Sequence, residues 1–400
     1  MKKLLYISAL ILLAFNACKN DDTISPENHF TRTYYDSALH NNYFPVDFAI
    51  LDDKSYLVLS LLKKDTVQSS IPGIYVMQTD KSGKSKWHII LEKEFVNAVP
   101  QLFKSGSEYY FFAMHATSLE TVLFKINPSS KSVTEVKRFS KITYPLSCSR
   151  DSANNYILLG FNSTSRSSTV TKLSSGFDIS WQKEYPIIED VVEKIVYHIT
   201  KTGKHYPFFT GTIHSGSSPS LYYVNGFSNY TFSLMFINPQ DGNLKGQING
   251  FRYDGGVSSL IPLDANNFAF TRFYYTEQYF LSHNTISTNT ISSISEDYKG
   301  IWMPEIQNSL NIQVIPVRLN NQDIILFAAP TKSNTVGLYF YDKTEGKNKL
   351  TRFIGDRYPI EPAAIKQGSD GSIVILCRIY ESGKYPRISL IKFAASEFKW

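Results

Sequence analysis

The stretch DSANNYILLG, residues 151–160, is a short polar turn followed directly by an apolar strand. The same order of turn and strand occurs at six other places: DDKSYLVLS at 52, KSGSEYYFFAM at 104, KTGKHYPFFTG at 201, DANNFAFTRF at 264, NNQDIILFAA at 320 and GSDGSIVILCR at 368. The seven strands begin near Tyr56, Tyr109, Tyr156, Tyr206, Phe268, Ile324 and Ile373. They recur about every 53 residues, a period typical of chains built from repeated structural units.

Further strands accompany each of these apolar strands. One short strand precedes it, such as PLSCSR at 145 and KIVYHIT at 194, and two follow it, such as STVTKLS at 168 and SSGFDISWQKEYP at 174. The predicted third strand of the fifth repeat is NTISSIS at 289. Four antiparallel strands in each of seven repeats predict an all-β fold, a seven-bladed β-propeller. The predicted blades are residues 46–93, 99–140, 145–186, 194–251, 257–306, 312–355 and 361–400, the last completed by 29–36.

The two ends of the chain predict how the ring closes. The last repeat stops at EFKW, where we expect Trp400 to occupy the place of Trp87 and Trp181, so that its outer strand is missing. The segment HFTRTYYD, residues 29–36, is a surplus strand similar to the outer strands of other repeats. Pairing this strand into the last blade would leave no open sheet edge.

Composition supports strands and narrows the class of partner. The chain of 400 residues contains 26 Tyr and 27 Phe, and aromatic residues favour strands over helices. Its formal net charge is +6, with Lys and Arg scattered along the chain. No basic run marks a nucleic-acid surface, so we expect no nucleic-acid partner. We expect the propeller to be a monomer.

The N-terminus has the pattern of an export signal. Lys2 and Lys3 precede an apolar segment at 4–15, which is too short to span a bilayer. The segment ending in Ala17-Cys18 resembles a bacterial lipoprotein lipobox, which implies removal of residues 1–17 and acylation of Cys18 with palmitate-type chains. The alternative is plain secretion, with Cys18 incidental.

The residues after this cysteine resemble a surface-export signal. Lys19-Asn20-Asp21-Asp22 is similar to the acidic signal of surface lipoproteins of the Bacteroidetes. The resemblance implies a lipid-anchored protein of the outer membrane that faces the cell exterior. Residues 18–28 would then be the lipidated cysteine and a polar tether.

One blade motif resembles those of known propellers. Residues 74–93, IYVMQTDKSGKSKWHIILEK, contain an Asp-x-x-Gly-x-x-x-Trp pattern similar to that of quinoprotein-like and other secreted bacterial propellers. Residues 168–185 repeat it in part. The residues of this pattern are expected to shape a turn and to pack a tryptophan between blades, rather than to perform chemistry.

The sequence contains no local motif of catalysis, of metal binding or of cofactor binding. We therefore predict no catalytic residue, no metal site and no cofactor, while leaving open an enzyme whose carboxylates come from different blades. His198 and His205 flank one turn, where a solvated hairpin is favoured over a metal site. Cys148 and Cys377 lie in apolar strands and are expected to be buried thiols without a disulfide.

Long connections rich in tyrosine indicate a binding surface. From the start of the second strand to the start of the third, blades four and five use 24 and 21 residues, whereas three other blades use 12. Insertions of this kind often mark the binding face of a repeat protein. The hypothesised ligand or partner site is His214, Tyr222, Tyr223, Asn225, Tyr230, Arg272, Tyr274, Tyr275, Glu277 and Tyr279. The alternative is that these tyrosines extend strands and cover blade surfaces.

Three functions are compatible with these features. The favoured one is a surface-anchored, non-catalytic recognition or scaffold propeller that binds a glycan, a peptide or a protein of an outer-membrane complex. The second is an extracellular glycan-active enzyme, and the third is an accessory lipoprotein of a secretion or transport complex. Because fold alone does not decide function, the sequence leaves all three open.

Overall fold

The computed structural model describes residues 27–35, 41–64, 71–91, 93–200, 206–215, 218–308, 311–355 and 357–400. These residues form β-strands, one α-helix and two short 3-10 helices. The predicted signal peptide, Cys18 and most of the tether lie outside the described residues. Their processing, acylation and location therefore stay predictions.

The strands fall into groups of four. The first described strand is β1 (Phe30–Tyr34). Group 1 is β2 (Asn41–Ile50), β3 (Tyr56–Lys64), β4 (Gly73–Thr79) and β5 (Ser85–Ile90). After β6 (Phe95–Val96), group 2 is β7 (Phe103–Ser105), β8 (Glu108–His115), β9 (Glu120–Asn127) and β10 (Ser132–Thr143). Group 3 is β11 (Ser147–Arg150), β12 (Tyr156–Asn162), β13 (Ser167–Leu173) and β14 (Ile179–Pro186).

The helix α1 (Val192–Thr200) precedes the later groups. Group 4 is β15 (Phe209–Ser215), β16 (Ser218–Ser228), β17 (Thr231–Ile237) and β18 (Leu244–Asn249). Group 5 is β19 (Gly255–Pro262), β20 (Asn267–Tyr274), β21 (Glu277–Thr285) and β23 (Ile301–Trp302), with β22 (Ser293–Ile294) before its last strand. Group 6 is β24 (Gln313–Leu319), β25 (Gln322–Pro330), β26 (Val336–Asp342) and β27 (Asn348–Ile354). Group 7 is β28 (Ile360–Gln367), β29 (Ile373–Glu381) and β30 (Tyr385–Phe393) with β1.

Each group is an antiparallel sheet in which neighbouring strands pair in order. The short strand β6 joins groups 1 and 2 into one nine-stranded sheet. In the middle strands successive side chains point to opposite faces. Ile157 and Leu159 pack towards group 4, whereas Tyr156 and Leu158 pack towards group 2. Both faces of the second strand of the repeat are covered by neighbouring groups, which explains why this strand is apolar on both faces.

The N-terminal strand pairs with the last sheet. β1 runs antiparallel to β30, with Phe30 opposite Lys392 and Tyr34 opposite Ile388. Phe30 also shares a buried cluster with Phe48 of group 1 and Val374 of group 7. The first and last groups therefore pack against each other. Trp400 lies in no strand and its indole N–H donates to Gln322 of group 6 at 3.0 Å, so its predicted equivalence to Trp87 and Trp181 is wrong.

The Asp-x-x-Gly turn has the structural role that the sequence predicts. Asp80 Oδ1 accepts hydrogen bonds from the backbone N–H groups of Ser82 and Lys84, each at 2.9 Å. Gly83 has φ +79°, and a Cβ there would come within 2.7 Å of the Phe30 ring. Only glycine fits both demands. The turn of group 1 therefore lies against β1, the outer strand of group 7.

The same contact recurs between groups 3 and 4. Tyr34 donates its hydroxyl proton to the carbonyl of Gly83 at 2.7 Å, and Tyr185 donates to the carbonyl of Gly242 at 2.6 Å. Trp181 packs beside Gly242 and donates its indole N–H to Pro239 at 2.9 Å. Trp181 thus packs between sheets, as predicted, and β1 makes the same contact as an ordinary outer strand.

Two predicted strands in groups 4 and 5 are wrong. The segment 194–200 forms part of α1, whose N–H at Val192 bonds to Asp190 and whose Ile195 and Ile199 face the core. Alternating and helical apolar patterns cannot be told apart in so short a segment. The inner strand of group 4 is β15, and its second strand is β16.

In group 5 the third strand is β21, at Glu277–Thr285, rather than the predicted segment 289–295. Consequently β16 and β17 are separated by two residues, as are β20 and β21, so the predicted insertions between second and third strands are absent. The long connection instead lies between β21 and β23, where β22 pairs in parallel with β18 of group 4.

The two remaining cysteines match their prediction. Cys148 and Cys377 are both buried free thiols. Burial raises the pKa of both thiols, so they stay protonated at neutral pH.

Candidate functional site

A central cavity is surrounded by the inner strands. Its volume is about 660 Å³. Every group contributes a segment to its lining: 46–47, 100–102, 147–148, 207–210, 258–261, 312–316 and 363–367. The lining mixes apolar side chains with hydroxyl and amide groups, and its charged residues are Asp47 and Lys366.

That charged pair joins the first and last groups across the cavity wall. Lys366 of β28 lies 2.9 Å from Asp47 of β2. Asp47 also accepts a hydrogen bond from the backbone N–H of Leu102 at 2.7 Å. The carboxylate is therefore fully engaged in holding groups 7, 1 and 2 together.

The helix α1 covers one mouth of this cavity. A smaller space of about 100 Å³ lies there, bounded by His198 and Ile199 of the helix and by the beginnings of the inner strands. The last carbonyl of α1, at Thr200, accepts a hydrogen bond from Lys63 of group 1 at 3.4 Å. The helix thus extends from the connection between groups 3 and 4 to group 1. This end of the molecule is called the α1 face below.

A second carboxylate at this mouth is also ion-paired. Glu361 pairs with Arg378 and accepts a hydrogen bond from the Tyr380 hydroxyl at 3.4 Å. Burial, opposed by the Arg378 charge, raises the pKa of Tyr380 to about 12, so its hydroxyl stays protonated. The carboxylates that border the cavity, Asp47 and Glu361, each have a cationic partner.

Three of the predicted site residues lie inside the protein. Tyr222, Tyr223 and Asn225 are in β16 and are buried. They are therefore not loop residues, as the sequence had suggested.

Each of the three fastens group 4 to a neighbour. Tyr222 donates its hydroxyl proton to Asp151 of group 3 at 2.7 Å, and Tyr223 packs with Leu260 and Phe268 of group 5. The Asn225 amide donates to the carbonyls of Pro207 and Val257, both at 2.8 Å.

A second set of predicted residues forms a stack across β20 and β21. The Arg272 guanidinium lies 3.9 Å from the centroid of the Tyr279 ring and donates to the carbonyl of Tyr298 at 2.7 Å. The Tyr279 hydroxyl donates to Glu277 at 2.5 Å. Arg272 is buried, and burial lowers its pKa. Arg272, Tyr279 and Glu277 therefore also hold neighbouring strands and the following turn of group 5 together.

His214 lies beside group 3, next to the turn that contains Asp151, the acceptor of Tyr222. It is exposed near the end of β15, where its ring contacts the Ser152 hydroxyl at 3.4 Å. Inner strands begin at the α1 face, so His214 is at the opposite face.

The remaining three tyrosines are at the α1 face. Tyr230 is in the turn after β16 and is 56% exposed, and Tyr275 is in the turn after β20 and is 52% exposed. Tyr274 is half-buried beside Tyr275. Gly255, at the start of the inner strand β19, pairs with Tyr274, which places this turn at the α1 face.

Phe251 joins two of these tyrosines in one cluster. Its ring centroid lies 5.4 Å from Tyr274 and 5.7 Å from Tyr275, and the two tyrosines are 4.9 Å apart. Phe251 is 38% exposed. The backbone N–H of Tyr275 donates to the carbonyl of Asp254 at 2.6 Å, which fixes the turn. Phe251, Tyr274 and Tyr275 are called the aromatic platform below.

Polar groups surround the platform. Arg252, Asp254 and Glu277 are all exposed beside it. Sequence reasoning missed Phe251 because it follows β18 in a turn whose proximity to the next hairpin depends on how the two groups pack. The arrangement offers ring faces for stacking together with carboxylate and guanidinium groups for hydrogen bonds.

Within the described parts of the chain, no group of three or more His, Cys, Asp or Glu side chains could hold a metal ion. His198 lies in the helix α1, so the predicted hairpin strand at that position is wrong, and His205 lies outside the described parts. No described helix is both long and apolar enough to cross a membrane.

Solved structures with a similar all-β fold include a β-propeller domain. The chain is similar to hydrazine synthase from Kuenenia stuttgartiensis, with a TM-score of 0.51 and 10% identity over 88% of this chain and 96% of that one. The propeller domain of the trilobed protease from Pyrococcus furiosus gives a TM-score of 0.45 and 9% identity over 88% and 95% of the two chains. The CNH domain of AfRom2 gives 0.47 and 9% over 90% and 98%.

Neither the family models nor the curated proteins contain a match to this sequence. The solved structures are too distant in sequence to indicate anything beyond the fold.

Proposed function

We propose that the seven strand groups are seven blades of one ring, closed by β1, and that this ring is a recognition module. The lining of one cavity by segments of all seven groups supports the blade count. The pairing of β1 with β30 and the ion pair between Lys366 and Asp47 support closure. A closed ring is a rigid scaffold for the turns at its faces.

The proposed ligand is a glycan, bound on the aromatic platform. The observation that supports this choice is the packing of three rings, two of them exposed and one half-buried, beside Asp254 and Glu277. The apolar faces of sugar rings stack on tyrosine and phenylalanine, while their hydroxyl groups donate to carboxylates. A protein partner would use the same rings without needing the adjacent carboxylates.

A glycan array probed with the chain from residue 19 onward tests this proposal. We expect a defined set of glycans to bind, and Tyr275→Ala to weaken that binding about tenfold, the effect of removing one good stacking contact. Tyr35→Ala is the matched control. Tyr35 is 65% exposed and directly follows β1 of group 7, outside the platform.

Other outcomes would overturn the glycan proposal. Hydrolysis of bound glycans would favour a glycan-active enzyme. An empty array together with a membrane protein that co-purifies would favour an accessory lipoprotein.

We further propose that the protein is anchored to the outer membrane through Cys18 and faces the exterior. The support is the export pattern of residues 1–22. Several acyl chains at one terminus would give stable anchoring, at about 0.8 kcal/mol per buried methylene. Mass spectrometry of the mature N-terminus should find an acylated Cys18, and a free, unmodified N-terminus in the medium would contradict the anchor.

A further inference from the structure

The strand β1 enters the ring at the face opposite α1. The turn between β29 and β30 is at the α1 face, where Arg378 and Glu361 border the cavity mouth. β30 therefore runs away from the α1 face, and its far end is Phe393. Because Phe30 pairs with Lys392, the first residues of β1 lie at that far end.

The residue before β1 is fixed at this opposite face. The His29 ring lies 2.9 Å from Glu397 and packs edge-on against Phe393 at 5.4 Å. Glu397 also accepts the backbone N–H of Ala394 at 2.8 Å and lies 3.5 Å from Arg352 of group 6. The chain thus leaves the ring from a defined point on the face opposite the aromatic platform.

We infer that the anchored protein holds its α1 face away from the bilayer, so that the platform meets ligands arriving from the medium. This inference rests on the proposed anchor at Cys18. Ten residues separate Cys18 from Asn28, and a chain of that length can reach at most about 35 Å when fully extended. β20, which runs from one face to the other, is roughly 26 Å long. An inverted protein would need most of this maximum reach to bring Cys18 past the side of the ring to the bilayer, which disfavours the inverted orientation.

Two positions at opposite ends of β20 provide matched probes. Ala265, in the turn before β20, is exposed at the face opposite α1, and Thr276, in the turn after β20, is exposed at the α1 face. Ala265→Cys and Thr276→Cys each add one reactive thiol, since Cys148 and Cys377 are buried. Both changes exchange small side chains outside the platform and outside the sheets.

The experiment measures energy transfer from a fluorophore on each thiol to labelled lipid headgroups. The full-length, lipidated protein is reconstituted in vesicles of phosphatidylethanolamine and phosphatidylglycerol that contain a rhodamine headgroup acceptor. Because the probes differ in height by roughly 26 Å, we expect transfer about twofold or more higher from Ala265→Cys than from Thr276→Cys.

Flotation of the vesicles separates the two ways in which the inference can fail. Protein that floats with the vesicles and shows equal or reversed transfer overturns the orientation while leaving the anchor intact. Protein that does not float contradicts the anchor, and with it the orientation.

Discussion

Two neighbouring hairpins use tyrosine in opposite ways. In group 4, Tyr222 and Tyr223 lie in the middle of β16 and are buried against groups 3 and 5. In group 5, Tyr274 ends β20 and is half-buried, whereas Tyr275 lies in the following turn and is exposed, both beside Phe251. The comparison shows that the distance of a tyrosine from the strand end decides whether its side chain is buried between groups or exposed at the α1 face.

The largest expected effect is on stability, in the buried hairpin. Tyr223→Ala should lower the free energy of unfolding by about 3–5 kcal/mol because it leaves a cavity beside Gly211 between groups 4 and 5. Chemical denaturation measures this loss. A loss below about 1 kcal/mol would mean that Tyr223 does not fasten the two groups.

A smaller effect is expected from Tyr222→Phe, which keeps the ring and removes the hydroxyl. Asp151 then loses one hydrogen bond to a charged group, and unfolding should become easier by about 1.5–3 kcal/mol at neutral pH. The denaturation midpoint of the two proteins at pH 7 measures it. Tyr223→Phe is a control, since its hydroxyl contact with the carbonyl of Leu260 is long, at 3.5 Å.

The effect of Tyr222→Phe should also depend on pH. Burial alone would raise the pKa of Asp151, but hydrogen bonds from Tyr222 and Asn155 outweigh it and hold the pKa below its usual value. Because the pKa of Asp151 is lower in the folded protein than in the unfolded chain, where it is about 3.9, its hydrogen bonds stabilise the fold fully above pH 3.9. This stabilisation is lost as the pH falls through the lower pKa of the folded state. The two proteins should therefore converge in stability below about pH 4, and a constant difference down to pH 2 would argue against this origin.

The smallest expected change in stability comes from the exposed hairpin. Tyr275→Ala should alter the free energy of unfolding by less than about 0.5 kcal/mol because its side chain is half in solvent and fills no core space. The same denaturation series measures it beside Tyr223→Ala. A loss comparable to that of Tyr223→Ala would remove the distinction between the two hairpins.

Most of the architecture follows from the sequence pattern because apolar strands buried on both faces leave a strong periodic signal. The pairing of β1 with the last group also follows from the sequence, since its residues resemble those of the outer strands β14 and β27. The structure adds that β1 makes the same tyrosine-to-glycine contact as β14. These features depend on local side-chain patterns that each group repeats.

The errors arose where local signals were misleading. The turn between β20 and β21 contains Tyr275 at φ +51° rather than Gly or Asn, so the sequence lacked the usual hairpin signal. The strand β16 begins with Ser and Pro and includes Gly226, a composition typical of a loop. The site was misjudged for the same reason: residues assigned to loops are in strands, and Phe251 approaches Tyr275 only after groups 4 and 5 pack together.

The most direct test of the division between the two hairpins is hydroxyl-radical footprinting with mass spectrometry, in the presence and absence of a glycan identified on the array. We expect the glycan to protect Phe251, Tyr274 and Tyr275, while Tyr35 reacts equally in both conditions. Protection confined to residues at the cavity mouth, such as Phe44 and Pro362, would contradict the platform as the recognition site.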